Sequence, residues 1–165
     1  MYLTRKTWAV LGTAVLLAAA GALAAGPASA QSASQIWQTP PPGGPGPIVD
    51  VSSGQCLTQE TAAGIGVPVA VLQGCTGAHE QHWEVTPGLG LIINQSSGQC
   101  LAQDTVAGIG VPVAVLKDCT KTGAQVWFTA PGGPGPIKNA ESNLYLTQGT
   151  AAVLGLPVAT LQPAG

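Results

Sequence analysis

The chain has 165 residues, of which 23 are glycine, 14 are proline and only 7% are charged. This composition favours a turn-rich β protein, because long surface helices need many more Glu, Lys and Arg residues. From residue 31 onward, three lysines against seven acidic residues leave a net charge of −4. Without a basic patch, neither binding to nucleic-acid phosphates nor polybasic docking to a membrane is expected.

Residues 1–30 have the features of a secretory signal peptide. Two basic residues precede an apolar run over residues 8–25, and the small residues "ASA" occupy positions 28–30. A basic start, an apolar centre and an Ala-x-Ala site predict cleavage before Gln31 and secretion without a membrane anchor. The alternative is an uncleaved anchor, because the apolar run is close to spanning length.

The next segment contains a Gln-x-Trp pattern, formed by Gln35 and Trp37, followed by the Pro- and Gly-rich stretch "TPPPGGPGPI". The same pattern recurs in "QHWEVTP" at Gln81 and in "QVWFTAP" at Gln125. In both later places it ends a repeat. At Gln35 it precedes the first repeat, and this position requires an explanation.

Internal repeats dominate the rest of the chain. Residues 48–83 and 92–127 share "SGQCL", "GIGVPVAVL", a second cysteine and Gln-x-Trp, every landmark being displaced by 44 residues. A looser third copy begins at Ile137 with "IKNAESNLYLTQGT" and ends before any Gln-x-Trp. With their closing strands, the repeats cover about residues 48–85, 92–129 and 137–162.

The four cysteines are predicted to form two disulfides, because an even number in a secreted chain favours disulfides over metal ligation. In the third copy Tyr145 and Ala164 replace both cysteines, so the two partners are lost together. This joint loss predicts pairing within repeats, each bond closing a loop of about 20 residues and contributing about 3 kcal/mol. The predicted pairs are Cys56–Cys75 and Cys100–Cys119.

Each repeat is predicted to contain four short strands, which in the first copy lie near residues 48–52, 55–59, 68–72 and 81–85. β-branched residues are frequent there, and Ser-Gly, Gly-x-Gly and Pro-Gly separate the runs. A propeller needs at least four such units. Three units therefore predict a closed, pseudo-threefold β-trefoil of twelve strands.

The motifs "SGQCL", "GxGVPV", a second cysteine and "QxW", twice in this order, resemble the ricin B-type lectin repeat. The likeness covers residues 48–127 well and residues 137–162 more loosely. It implies an all-β trefoil in which Trp83 and Trp127 lie in the core. It further implies that Gln81 and Gln125 are buried hydrogen-bonding partners.

In a closed trefoil the first and last strands are neighbours, which accounts for the early Gln-x-Trp. We predict that residues 35–39 supply the final strand missing from the third repeat, with Gln35 and Trp37 in the structural roles given to their counterparts. All three tryptophans are followed by Thr, a Pro-Gly turn and the Ile that opens a repeat. The alternative is a truncated chain with an N-terminal linker, because the segment "TPPPGGPGP" has the composition of a linker.

The lectin resemblance implies up to one shallow carbohydrate pocket per repeat. In such a pocket an Asp after Cys-Leu accepts hydrogen bonds from vicinal hydroxyls, and an aromatic ring before the second cysteine covers the apolar face of the sugar. An Asn next to the Gln-x-Trp often assists. This sequence instead has Thr58, Ala102 and Thr147 in the acid position, Gln73 and Lys117 in the ring position, and Glu80 and Ala124 before the Gln-x-Trp.

A shifted pocket is a further possibility, because Glu60 and Asp104 are equivalent acids two residues beyond the lost Asp. Alternate residues of a strand face the same side, so Glu60 shares a face with Thr58. The alternative is that both acids are solvated at the end of a strand. The candidate carbohydrate-binding residues are Thr58, Gln59, Glu60, Gln73, Glu80, Gln103, Asp104 and Lys117.

Other chemistry has little support in the sequence. "HEQH" at residues 79–82 spaces its histidines by three, whereas a zinc-protease helix needs four, and no metal site is predicted. "GIGVPV" lacks the third glycine of a dinucleotide loop, so no cofactor is predicted. Glu60 and Asp104 lie in equivalent places of different repeats, too far apart for a glycosidase pair. We expect no catalytic residue and no enzymatic activity.

The sequence therefore predicts a secreted, non-catalytic β-trefoil that binds carbohydrate. One alternative is a trefoil that has lost sugar binding and serves as a protein-interaction or inhibitor scaffold. Another is an accessory module that acts with a separate secreted glycosidase.

Overall fold

The computed structural model describes residues 32–62, 65–130, 133–151 and 154–165, and the predicted signal peptide lies outside them. Within these ranges no helix is long and apolar enough to cross a membrane. The described residues form one antiparallel sheet of fifteen short strands and three short 3-10 helices, Ala33–Gln35, His79–Gln81 and Gly123–Gln125. The strands are β1 Trp37–Gln38, β2 Gly46–Pro47, β3 Val49–Asp50, β4 Cys56–Glu60, β5 Val69–Gln73, β6 His82–Val85, β7 Gly88–Gly90, β8 Ile92–Asn94, β9 Cys100–Thr105, β10 Pro112–Lys117, β11 Trp127–Thr129, β12 Pro134–Gly135, β13 Ile137–Asn139, β14 Tyr145–Ala151 and β15 Leu156–Gln162.

Three long hairpins form the centre of the fold, one from each repeat: β4–β5, β9–β10 and β14–β15. Their second strands come from the apolar runs "PVAVL" and "PVATL", in which β-branched residues favour extended backbone. These second strands meet around the pseudo-threefold axis through the pairs Val69–Val115, Val113–Thr160 and Val158–Val71. The three hairpins thereby close into a ring.

The strand count is higher than the twelve predicted, because a strand of two or three residues precedes each repeat. In these strands, β2, β7 and β12, a glycine lies opposite a tryptophan. A Cβ on Gly90 would overlap the side chain of Thr86, and one on Gly135 would lie 2.7 Å from Cβ of Ala130. Glycine is therefore needed for the chain to double back here.

The main core follows the threefold pattern residue by residue. Five equivalent positions each contribute three buried side chains, one from each unit, and all fifteen belong to one hydrophobic cluster. The members are Trp37, Trp83 and Trp127; Ile48, Ile92 and Ile137; Leu57, Leu101 and Leu146; Leu72, Leu116 and Leu161; and Ala70, Ala114 and Ala159.

Each core tryptophan is fixed by one buried hydrogen bond. The indole Nε1 of Trp83 donates to the carbonyl of Leu57 at 2.8 Å, and that of Trp127 donates to the carbonyl of Leu101 at 2.8 Å. Both carbonyls follow the first cysteine of the repeat. These bonds satisfy the polar atom of an otherwise apolar ring, as burial requires.

Trp37 makes the corresponding contacts at the open end of the third repeat. Its side chain is fully buried, and its Nε1 donates to the carbonyl of Leu146 at 2.9 Å. Its strand β1 pairs with β3 on one side and with β12 on the other. These contacts support the circularly shifted order, in which the N-terminal segment supplies the last strand of the third repeat.

The two disulfides join Cys56 to Cys75 and Cys100 to Cys119, the pairing that the repeats predict. Beside the first of these bonds, Gln81 Nε2 donates to the carbonyl of Gly74 at 2.9 Å, and its Oε1 accepts from the backbone N–H of Thr76 at 2.8 Å. The Gln81 side chain thus stabilises the loop that follows β5.

Gln125 and Gln35 stabilise the equivalent loops of the other two units. Gln125 Nε2 donates to the carbonyl of Asp118 at 2.7 Å, and its Oε1 accepts from the N–H of Thr120 at 2.7 Å. Gln35 Nε2 donates to the carbonyl of Pro163 at 2.7 Å, and its Oε1 accepts from the N–H of Gly165 at 3.2 Å. In the third unit, which has no disulfide, this amide ties the N-terminal segment to the C-terminus.

One buried polar atom departs from the threefold pattern. The side chains of Asn94 and Asn139 each donate at 2.9 Å to the carbonyl that precedes the Gln-x-Trp glutamine. Asp50 occupies the equivalent position; its Oδ2 accepts from Ser52 and Ser53, but its buried Oδ1 has no partner among the described residues. An ionised carboxylate has no hydrogen to donate to the equivalent carbonyl, that of Ser34.

The first test is to replace Trp37 by alanine. If Trp37 is a core residue equivalent to Trp83, the substitution lowers the free energy of unfolding by about 3–5 kcal/mol, as a large buried cavity does. Urea unfolding of Trp37→Ala beside Trp83→Ala measures this, with exposed Gln38→Ala as control. A Trp37→Ala protein as stable as the control would show that the segment is a linker.

The second test is Asp50→Asn, which supplies the amide donor that the other two units have. We expect the free energy of unfolding at pH 7 to rise by about 1 kcal/mol, the net value of one buried hydrogen bond. The reverse substitution Asn94→Asp provides the matched comparison and should destabilise the protein. Equal stability of Asp50→Asn and the unmodified protein would contradict the assignment of Ser34 as acceptor.

Candidate functional site

A surface pocket of about 400 Å³ lies beside the first hairpin. Thr58, Gln59 and Glu60 line it from β4 and Gln73 from β5, while Glu80 contributes from the helix His79–Gln81. These elements are neighbours because the Gln81 side chain holds the helix against the hairpin. Five of the eight predicted carbohydrate-binding residues are thereby brought together in the first repeat.

Two carboxylates are the strongest hydrogen-bond acceptors of this pocket. Glu60 Oε2 accepts a hydrogen bond from Gln73 Nε2 at 3.1 Å, which orients the carboxylate. Glu80 is exposed, and its Oε1 lies 3.4 Å from the Ser96 hydroxyl that donates to it. None of the residues placed around the pocket is cationic or aromatic. Both carboxylates therefore keep lone pairs directed to solvent.

Two of the predicted residues hold the pocket together. The buried Thr58 hydroxyl accepts from Gln81 Nε2 at 3.1 Å and donates to the Cys56 carbonyl at 3.1 Å. Gln59 Oε1 accepts from the Ser97 hydroxyl at 2.6 Å and so ties the first repeat to the second. Thr58 forms part of the floor, whereas Glu60, Gln73 and Glu80 present polar groups to the open side of the pocket.

The equivalent pocket of the second repeat has a different charge. Its volume is about 390 Å³, and Gln103 and Lys117 line it. Lys117 Nζ lies 2.7 Å from Asp104 Oδ2, so the acid that corresponds to Glu60 is neutralised by an ion pair. Gln103 accepts a hydrogen bond from the hydroxyl of Ser142 in the third repeat. The second pocket therefore lacks a free acid at the position of Glu60; its other acid, Asp118, accepts a hydrogen bond from Gln99 Nε2 at 3.4 Å.

Three interactions lower the pKa of Asp104, and burial opposes them. The hydrogen bond from Lys117 is the largest effect, while the Thr105 backbone N–H and the charge of Lys117 add to it. Both side chains are partly exposed, 44% for Lys117 and 37% for Asp104, so water screens the pair.

In the third repeat Gly149 takes the place of Glu60 and Asp104. A Cβ at this position would lie 2.6 Å from side-chain atoms of Thr160 on the paired strand. A carboxylate cannot be accommodated there unless Thr160 shifts. Of the three equivalent positions, only that of Glu60 carries an acid without a lysine partner in the described part of the chain.

Five residues that line the first pocket lay outside the predicted carbohydrate-binding set: Thr61, Thr76, Ala78, Gln81 and Ser96. Ser96 reaches it from the turn after β8 in the following repeat, and Gln81 contributes although its assigned role was structural. Ser96 was missed because residues of different repeats meet only through the trefoil topology, and Gln81 was missed because the family resemblance assigned it a buried structural role. Spacing within one repeat carries no signal for Ser96.

The "HEQH" segment does not form a metal centre in the described residues, where no three His, Cys, Asp or Glu side chains are placed to share an ion. His79 lies in a 3-10 helix and His82 in β6. Their rings meet edge to face with centroids 5.9 Å apart. The pair is a packing contact next to the candidate pocket.

Comparison with known proteins agrees with this architecture. The family model described as "Ricin-type beta-trefoil lectin domain" matches residues 44–158. The chain belongs to the ricin-type β-trefoil lectin family. This lectin membership confirms the predicted family and fold, and it supports carbohydrate binding in general terms. Domains of this type are typically non-catalytic. No curated protein sequence matches the chain.

Two solved structures share the lectin's fold. The designed threefold symmetric protein ThreeFoil is 15% identical, with a TM-score of 0.58, and the match covers 79% of this chain and 91% of ThreeFoil. The cytolethal distending toxin of Haemophilus ducreyi is 16% identical, with a TM-score of 0.50, over 80% of this chain and 75% of the matched toxin chain. At these identities the similarity extends to the trefoil fold alone.

The ion pair in the second repeat gives a pH-dependent prediction. Because Lys117 lowers the pKa of Asp104, the substitution Lys117→Met should raise that pKa. NMR titration of the Asp104 carboxyl group measures the change. The pair stabilises the fold above the unfolded pKa of about 3.9, and this contribution is lost as the pH falls through the folded value. Because both groups are partly exposed, Lys117→Met should lower the free energy of unfolding at pH 7 by less than about 1 kcal/mol. An unchanged Asp104 pKa would contradict the pairing.

Proposed function

We propose that residues 31–165 form a secreted, non-catalytic lectin that binds a neutral sugar in the pocket of the first repeat. The observation that carries this proposal is the placement of Glu60, which Gln73 orients and which has no cation beside it among the described residues. Sugar hydroxyls donate hydrogen bonds, and a carboxylate is the strongest acceptor that a side chain provides. Glu60 thus takes over the task of the Asp that this repeat lacks.

The remaining groups of the pocket complement a sugar ring. Glu80 offers a second carboxylate across from Glu60, and the Gln73 amide offers both a donor and an acceptor to hydroxyl groups. No aromatic ring lines the pocket, so binding rests on hydrogen bonds more than on stacking. Its open, shallow form suits one or two sugar units at the end of a chain.

Secretion and the absence of catalysis are supported by separate features. Two disulfides are typical of an oxidising, extracellular environment. The absence of catalysis is supported by the family, because ricin-type β-trefoil lectin domains are typically non-catalytic.

The test is a glycan array with the purified protein, followed by calorimetry on the best neutral glycan. Glu60→Gln removes the charge but keeps the shape, and it should weaken binding about 10- to 100-fold, as loss of a charged hydrogen bond does. Asp104→Asn is the matched control and should leave the affinity unchanged, because Asp104 is already paired with Lys117.

Two results would contradict the proposal. Equal losses in Asp104→Asn and Glu60→Gln would mean that the first repeat is not the binding site. If no neutral plant, bacterial or animal glycan binds, the alternative of a trefoil scaffold for a protein partner is favoured. The absence of an aromatic residue from the described lining of the pocket agrees with that alternative.

A further inference from the structure

A second exposed surface lies away from the first pocket, where strands β7, β11, β13 and β14 cross side by side. Their paired residues Leu89, Phe128, Lys138 and Tyr145 form one continuous row across the sheet. Leu89 is 65% exposed and Phe128 is 50% exposed. Together with Lys138 and Asn143 they border a depression of about 330 Å³. We call this surface the Phe128 platform.

The pseudo-symmetry shows that the platform is not required by the fold. Phe128 corresponds to Gln38 and Glu84 in the other two units, and both of these side chains are polar and exposed. Lys138 corresponds to Val49 and Ile93. The trefoil therefore tolerates a polar residue at position 128 and an aliphatic one at position 138. Only this unit combines an exposed ring with a cation.

The cation of the platform is available to an anion. The only ion pair among the described residues is that between Lys117 and Asp104, so Lys138 has no carboxylate partner there. Its Nζ lies 6.0 Å from the centroid of the Tyr145 ring, a position that holds the ammonium group above the sheet. The neighbouring acid Glu141 packs over the backbone of Gly123 instead.

The apolar part of the platform is too small for a stable protein interface. A phenylalanine side chain has about 200 Å² of surface, and half of it is exposed at Phe128. Together with the exposed part of Leu89, this gives roughly 200 Å² of apolar surface. A specific interface needs about 800 Å² on each partner. A single sugar ring, in contrast, requires one aromatic face and a few polar groups around it.

We propose that the Phe128 platform is a second glycan site, selective for sugars that carry a carboxylate, such as uronic acids. The apolar face of the sugar ring stacks on Phe128, and Lys138 pairs with the carboxylate. The Asn143 amide is placed to bond a hydroxyl. This site is the electrostatic opposite of the first pocket, whose two carboxylates would repel the same ligand.

The experiment is calorimetric titration of the purified protein with tetrasaccharides of galacturonate, mannuronate, guluronate and hyaluronan. At least one should bind, with an affinity that falls as salt is raised. Phe128→Gln, the residue of the equivalent position 38, should weaken binding at least tenfold, and so should Lys138→Ile, the residue of position 93. Val51→Gln changes an exposed apolar residue outside the platform and should bind as the unmodified protein does.

The outcome separates this site from the one in the first repeat. Glu60→Gln should leave uronate binding intact, whereas Phe128→Gln should leave neutral-glycan binding intact. The proposal is overturned if none of the four acidic oligosaccharides binds, or if binding survives both platform substitutions. Self-association that Phe128→Gln abolishes, without acidic-glycan binding, would instead assign the platform to a second copy of the chain.

Discussion

The fold depends on one interaction made three times: a buried indole N–H that donates to the carbonyl of the leucine at the start of a hairpin. Each bond joins the end of one unit to its own first long strand and fixes the largest side chain of the core. Two of these tryptophans follow their hairpins in the chain, while Trp37 precedes all three hairpins. The N-terminal segment therefore lies at the open end of the third unit, where Gln35 also bonds to Pro163 and Gly165.

Function is expected where the three units differ, because equivalent positions reveal what the fold alone requires. Glu60, Asp104 and Gly149 share one backbone position, yet the first has no lysine partner among the described residues, the second is paired with a lysine and the third has no room for a side chain. Position 128 shows the same divergence, with an exposed ring where the other units carry polar groups. The shared core allows these surface changes because it is built from other residues.

The sequence was sufficient to predict features that repeat. The period, the disulfide pairing and the trefoil follow from residues that recur at fixed spacing, and the central strands lie within one or two residues of their predicted limits. The short strands β2, β7 and β12 were missed because their Pro- and Gly-rich sequences resemble loops until a tryptophan strand lies opposite them. The Lys117–Asp104 pair and the contribution of Ser96 depend on side-chain placement between strands, on which spacing carries no information.

Hydrogen exchange at the tryptophan indoles tests the closure of the fold most directly. In ¹⁵N-labelled protein, with resonances assigned through single Trp→Phe variants, the Nε1–H of Trp37 should exchange as slowly as those of Trp83 and Trp127, because all three open only on global unfolding. Rapid exchange of the Trp37 indole beside two protected ones would show that the N-terminal segment is not part of the trefoil. The circular order of the three units would then be wrong.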